Sequence, residues 1–295
     1  MEVSPALVVA IGGSAGSLEA LSSLVGRLPP GLDAALFVVV HVPPTMDSRL
    51  PEILARRGPL PVRHARAGDL ISGGRILVAP PDHHLLLVGD HVELSRGPRE
   101  NSTRPAIDPL FRSAAEAFGP AACGVVVSGN LDDGSEGLRR IVVAGGVGIV
   151  QDPDEAAHPE MPRNALARCG SCCILPARRI GEALADLARG SRLDPRAVPG
   201  GGSDVGLEPV GAADSPGVPT GFSCPECHGV LWTSSDGDDQ TLHCRIGHTF
   251  TDTAISHACV LENLLSESGP PASRAHPEDP AQDDSDASGP RRHVS

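Results

Sequence analysis

The sequence predicts a doubly wound, mostly parallel α/β sheet with a β-hairpin at its edge, followed by a small zinc-ribbon-like module. Three observations lead there. From residue 6 to about residue 190, apolar strand-like runs alternate with helix-like segments, the rhythm of parallel βαβ units with helices on both faces. One stretch, 84–95, breaks the rhythm with two short runs around Gly89 and Asp90, a hairpin signal. Beyond residue 220 the cysteines recur at metal-ligand spacing, in a stretch too short to bury a core of its own.

The elements follow in order. Strand 6–11 is the run Ala6 to Ile11, and it enters Gly12, Gly13, Ser14, Ala15 and Gly16 before helix 18–28. Strand 35–41 carries three valines and ends in His41, just before Pro43 and Pro44; helix 48–57 comes next. Strands 61–65 and 75–79 precede the hairpin, and helix 107–118 follows it. Strand 122–128 runs into Gly129, Asn130, Leu131, Asp132, Asp133 and Gly134, which opens helix 134–144. Strand 146–151, helix 162–169, strand 172–176 and helix 178–189 complete a domain over 1–190. Residues 191–219 are rich in Gly, Pro, Ser and Asp, the composition of a flexible linker. A cysteine-bearing module spans 220–266 and closes on a short helix at 253–266. The tail 267–295 has too little apolar content to fold and is expected to be disordered.

Composition narrows the chemistry. In 295 residues the chain is 40% hydrophobic but only 2% aromatic, so its core must be aliphatic. Lysine is absent, which removes Schiff-base chemistry and the P-loop. A net charge of -13 argues against a nucleic acid partner. No apolar stretch approaches the roughly 20 residues of a membrane span, and no secretory leader opens the chain. Clustered cysteines suit a reducing compartment, so a cytoplasmic protein without membrane insertion is expected.

Ser14, His41 and Asp133 each follow an apolar run, where residues of separate parallel strands converge. A hydroxyl on a Gly-rich strand-to-helix turn is a presented nucleophile. Histidine would take its proton, and aspartate would orient the imidazole and stabilise its cation. Backbone N–H groups of Gly13 and Asn130 are the candidates for holding an oxyanion. Each residue also has a plainer reading. Ser14 could be a helix N-cap, His41 a satisfied polar residue at a strand end, and Asp132 or Asp133 a turn residue. The glycine spacing fits neither the dinucleotide fingerprint nor the G-x-S-x-G elbow. Together the three residues favour a serine hydrolase.

At these positions the sequence resembles the catalytic domain of CheB-type chemotaxis protein-glutamate methylesterases. The resemblance runs through Val9 to Gly16, Val40 to Pro44, Ile76 to Pro81, Arg104 to Phe111, Ser128 to Gly134, Gln151 to Pro153 and Met161 to Ala165. It implies a cofactor-free esterase that demethylates glutamate methyl esters, and deamidates some glutamines, on the cytoplasmic helices of methyl-accepting chemoreceptors. It also puts nucleophile, base and acid on Ser14, His41 and Asp133, with Asp133 preferred to Asp132 because it immediately precedes Gly134. Arg104 and Asp108 lie in a shared motif suited to substrate binding or helix capping. The chain departs from the family pattern at Ala15, where Thr is usual, and at Gly129-Asn130-Leu131, where Gly-Met-Gly is common. If the second glycine uses backbone angles that only glycine adopts freely, Leu131 would take them at a cost, which bears on the oxyanion hole. Many relatives carry a receiver domain ahead of this segment. This chain opens on the catalytic segment, so control by a separate receiver or scaffold protein, or constitutive activity, is expected.

Cys224 and Cys227, followed by Cys244 and His248, form C-x-x-C and C-x-x-x-H, the spacing of a tetrahedral structural zinc. His228 and His243 are rival nitrogen ligands. Cys169 and Cys172 make another C-x-x-C, beside Cys173, which reads as buried thiols rather than a metal or redox site. His83 and His84 read as a strand start rather than a pocket lining. No catalytic candidate lies past the linker, so a domain ending near residue 200 is expected to keep its activity. The reading from a different class is a catalytically weak adaptor that binds a signalling partner through the zinc module.

Overall fold

The computed structural model describes residues 5–193, 196–197, 217–236 and 239–258. Most of the proposed linker and all of the tail 267–295 lie outside these residues, as does the end of the helix expected at 253–266; residues 252–258 are helical.

The main sheet is built from β1 (Leu7–Gly13), β2 (Ala34–Val40), β3 (Val62–His64) and β4 (Arg75–Val78). After the hairpin strands β5 (His84–Val88) and β6 (His91–Ser95), it continues through β7 (Ala122–Val126), β8 (Val147–Gln151) and β9 (Ser171–Leu175). Its order is β10-β9-β8-β7-β1-β2-β4-β3, where β10 (Arg196–Ala197) is a short antiparallel addition and the other seven strands are parallel. The chain winds from β1 towards β4 and later from β7 towards β9. The direction therefore reverses between β1 and β7, the crevice where open α/β sheets place their sites.

Alternation along β1 builds both faces of the core. Val8 and Ala10 join one buried cluster, with Ile107, Phe111, Leu138 and Met161. Leu7, Val9 and Ile11 join the other, with Leu21, Leu24, Ile180 and Leu184. The first cluster is covered by α3 (Ile107–Phe118), α4 (Ser135–Val143) and α5 (Glu160–Cys169). The second is covered by α1 (Ser17–Val25), α2 (Leu50–Ala55) and α6 (Ala177–Ala188). This is the period-2 burial of a strand covered on both sides.

The hairpin forms as expected, but it is a separate two-stranded sheet rather than an edge of the main one. Leu85, Leu87 and Val92 are buried in the same cluster as Phe111, and Ser113 Oγ accepts the Leu87 N–H at 3.0 Å. Packing on α3 thus replaces pairing with the sheet. A second difference concerns Cys169 and Cys172, which are joined as a disulfide at the junction of α5 and β9.

The C-terminal module is a four-stranded antiparallel sheet of β11 (Val218–Ser223), β12 (Val230–Asp236), β13 (Asp239–Cys244) and β14 (Thr249–Phe250). Among the described residues its core is Cys224, Leu231, Leu242, Cys244, Phe250, Ala254 and Ile255. A core this small calls for a further staple.

Candidate active site

Ser14 and His41 leave neighbouring strand ends, one step past the register pair Gly13 and Val40. The His41 N–H donates to Gly13 O at 3.3 Å. The Ser14 N–H donates to Ser128 O at 3.0 Å, and the Ser17 N–H returns to Ser14 O at 3.1 Å, closing the turn into α1. Ser128 braces this turn from β7. Its hydroxyl donates to Ala15 O at 2.8 Å and accepts the His158 N–H at 2.9 Å. Nothing in the sequence pattern singled out Ser128 for this role. Beside the turn lies an open cleft of about 700 Å³, lined by residues such as Gly16, Leu18, Glu19, Arg57 and Ala157.

His41 Nε2 lies 2.7 Å from Asp133 Oδ2. With Nε2 on the carboxylate, Nδ1 is the ring nitrogen left to accept a proton. Asp133 is buried and accepts three further hydrogen bonds. These come from the Ile107 N–H at 2.7 Å, the Asp108 N–H at 3.2 Å and the Asn101 amide at 3.2 Å. The first two are free N–H groups at the N-terminus of α3, so Asp133 caps that helix from a distant loop. Burial opposes its charge, but the His41 hydrogen bond and charge and the α3 N–H groups hold it below the ordinary aspartate range. Asp108 goes the other way. Burial and the charge of Asp133 push it well above that range, although it accepts the Gly137 N–H at 2.8 Å. The proton affinities of two nearby buried carboxylates are thereby driven apart, Asp133 downwards and Asp108 upwards.

The loop that carries Asp133 is sewn in place. Gly129 donates to His158 O and accepts the Met161 N–H, and the Asn164 amide donates to Leu131 O at 2.9 Å. Leu131 sits at φ 62°, the left-handed region that disfavours a leucine. Gly134 has φ 90°, and a Cβ there would lie 2.6 Å from Ile107 Cγ2. Only glycine fits that position.

Asp132 faces away from His41. Its Oδ1 accepts the Thr251 hydroxyl of the C-terminal module at 2.8 Å, and burial raises its pKa. The module is therefore docked beside the site. Asn101 donates its N–H to Thr249 O at 2.8 Å, its Oδ1 accepts the Thr251 N–H at 3.1 Å, and Arg99 pairs with Glu226 at 3.2 Å. This differs from an independent module on a linker. The contacts pair residues 119 to 150 apart in sequence, a separation that no local pattern reveals.

The hydrogen bonds place two more of the expected site residues. Gly13 lies inside the β1–β2 ladder, with its carbonyl on His41, so its N–H belongs to the sheet. Asn130 and Ala15, like Gly16 and Leu131 to Gly134 in the same two turns, have N–H groups that take no partner among the described residues. Arg104 donates to Asp82 Oδ1 at 2.6 and 3.0 Å and to Gly97 O at 2.6 Å, which ties the 82–104 segment together. These bonds make it a brace for that segment. His84 is also internal, with Nε2 on Pro98 O at 3.0 Å and Nδ1 accepting the Ala106 N–H at 3.2 Å.

In the module, Cys224, Cys227, Cys244 and His248 bring their ligand atoms within 4.8 Å of one another. Cys227 Sγ to Cys244 Sγ is 3.6 Å, and His248 Nδ1 lies 3.6 Å from Cys224 Sγ and 3.4 Å from Cys244 Sγ. A tetrahedral zinc with sulfur at about 2.3 Å has edges of about 3.7 Å, so this donor set fits that ion. His228 and His243 are not part of the group among the described residues. Burial opposes ionisation of Cys244, yet N–H donors from His248 and Ile246 help bring its thiol down to about 7.

The comparisons with known proteins point one way. The family described as CheB methylesterase matches residues 9–184. A protein-glutamate methylesterase/protein-glutamine glutaminase 2 of Anaeromyxobacter dehalogenans is 40% identical over 182 residues, 62% of this chain and 53% of that relative. A protein-glutamate methylesterase/protein-glutamine glutaminase of Trichodesmium erythraeum is 36% identical over 180 residues, 59% of this chain and 51% of that relative. The chain thus spans about half the length of these relatives. The crystal structure of the Thermotoga maritima CheB methylesterase catalytic domain superposes with a TM-score of 0.60 at 31% identity, over 63% of this chain and 100% of that one.

Proposed function

This chain belongs to the CheB methylesterase family, and on that premise we propose that it hydrolyses glutamate methyl esters on chemoreceptor-like helical proteins through Ser14, His41 and Asp133. The observation that carries the proposal is the His41–Asp133 hydrogen bond of 2.7 Å, at the strand end next to Ser14. His41 Nδ1 takes the Ser14 proton as Oγ attacks the γ-carbonyl carbon. The oxyanion forms against the N–H groups of Asn130 and Ala15. Collapse expels methoxide, which leaves as methanol with the proton from His41. Water, deprotonated by the same nitrogen, then releases the glutamate and restores Ser14. An amide enters the same cycle and loses ammonia, which extends the reading to glutamine deamidation. No cofactor is needed at any step.

The same reading assigns a structural zinc to Cys224, Cys227, Cys244 and His248. Four protein ligands leave no open position for activated water, so the ion would organise the module rather than take part in hydrolysis. Among the described residues no helix is long and apolar enough to cross a membrane, and we assign the protein to the cytoplasm, beside the signalling helices of its substrate. The adaptor reading draws no support from the comparisons.

The test is methanol release from a methylated receptor by the full chain, compared with the Ser14→Ala variant. Turnover that Ser14→Ala removes supports the reading. Equal turnover in the two proteins would refute it.

A further inference from the structure

We propose that Asn101 is a positioning residue for Asp133, and that Asn101 is itself set by the zinc-organised module through Thr251. The proposal rests on the esterase reading for its kinetic part and on the docking contacts for the rest.

Asn101 is buried and in the left-handed region, φ 49°, which asparagine tolerates better than most residues. Its side-chain amide has an acceptor end and a donor end, and both are used. Oδ1 takes the Thr251 N–H at 3.1 Å. Nδ2 donates to Asp133 Oδ1 at 3.2 Å and lies 3.5 Å from Asp108 Oδ2. The amide orientation that serves Asp133 is thus the one that the module completes. Without the Thr251 N–H, Oδ1 would be a buried acceptor with no partner, and the side chain would be drawn towards water.

Thr251 is fixed in turn. Its hydroxyl donates to Asp132 Oδ1 and accepts the Ala254 N–H at 3.1 Å, which caps the 252–258 helix. It lies three residues past His248 and directly after β14, which pairs with β13 ahead of the 244–248 turn. An ion held by Cys244 and His248 would close that turn and so set where Thr249 to Thr251 can lie. The docked module is the shared element: a metal on its four ligands would hold it from one side, and Asn101 contacts it from the other.

The observable link is the proton affinity of the His41–Asp133 pair. Asp108 and Arg112 of α3 face the pair, with Glu100 on Arg112 and His84 from the hairpin; Asp132 lies on the same loop with Arg168 near it. Loss of the amide donor removes a stabiliser of the Asp133 charge, so the pair holds its proton more tightly and the acid limb of kcat/KM moves to higher pH.

The experiment uses the full zinc-loaded chain and a methylated receptor. Asn101→Ala should lower kcat roughly tenfold, as misplacement of a catalytic group does, with KM little changed. Its acid limb should rise by about half a pH unit, through the lost hydrogen bond. Dialysis of the unmodified protein against a chelator should raise the acid limb in the same direction and speed amide exchange at Asn101 and Thr251. Added Zn²⁺ should reverse both changes. In Asn101→Ala, zinc removal should move the limb no further. An Asn101→Ala enzyme with wild-type kcat and acid limb overturns the proposal. So does zinc removal that leaves exchange at Asn101 and Thr251 unchanged. A wild-type chain that releases no methanol instead defeats the esterase reading, and the exchange measurement still decides the link.

Discussion

Ile107 and Asp133 are joined by a hydrogen bond of 2.7 Å, and the oxygen that accepts it is the one that holds His41. One carboxylate therefore caps the N-terminus of α3 and orients the imidazole. Any change at Asp133 acts on stability and on the site together.

Asp133→Asn should show both effects. Hydrolysis should fall on the order of 10⁴-fold, as when the acid of a triad is neutralised. Stability should fall by about 1 kcal/mol, the usual cost of a lost helix cap. The folded pKa of Asp133 is depressed, so its contribution is present above the unfolded value and lost as pH falls through the lower folded value. The stability difference between wild type and Asp133→Asn should therefore shrink below about pH 4. Asp132→Asn, off the imidazole, should retain far more activity. Methanol release and thermal unfolding across pH check both; equal kinetic losses would contradict the assignment.

Asp108→Asn should separate with pH in the opposite sense. Burial and Asp133 raise the folded pKa of Asp108, so wild type loses stability as pH rises from the ordinary aspartate range through that folded value. The variant carries no such penalty. The Tm of the variant minus that of wild type should grow between pH 4 and pH 7. A difference constant with pH would show that Asp108 is ionised in the folded protein.

Gly134→Ala should be destabilising, because φ 90° and an Ile107 methyl 2.6 Å from the new Cβ leave it no room. A left-handed non-glycine costs about 1–2 kcal/mol before any clash. At Leu131, φ 62°, a change to glycine relieves strain and adds chain entropy, so it should fall within about 1 kcal/mol of wild type. Leu131→Val, with its branched side chain, should be clearly less stable. Denaturant unfolding of the three variants tests this order.

Cys224→Ser should lose the ion. Metal analysis of the wild type should find about one zinc per chain, and the variant should fall well below that. Acidification should also release zinc, since protons compete for the thiolates. Retention of a full equivalent by the variant would move the site elsewhere.

Regular alternation of apolar runs made the main domain legible, because buried parallel strands and the helices between them leave strong local patterns. Helix 107–118 matches α3 end to end, and the strand boundaries differ by a residue or two. Ser14, His41 and Asp133 were readable as strand-end residues, since topology alone brings such ends together. What escaped was long-range and backbone-borne. The hairpin carries no sign of whether its outer edge will pair with a sheet or pack on a helix. A ladder N–H such as that of Gly13 looks free in sequence, and an arginine gives no sign that Asp82 will hold it. Asn101 sits in an unpatterned loop, and its partners lie 32 and 150 residues away.

The adjacent carboxylates Asp132 and Asp133 look in opposite directions, one to Thr251 and one to His41. The two parts of this chain are therefore not interchangeable cassettes. Transplanting the module onto another catalytic domain would need a second aspartate and an asparagine in matching places. A one-residue insertion ahead of Asp132 would shift both carboxylates out of place at once, breaking the anchor to Thr251 and the contact with His41 in a single event.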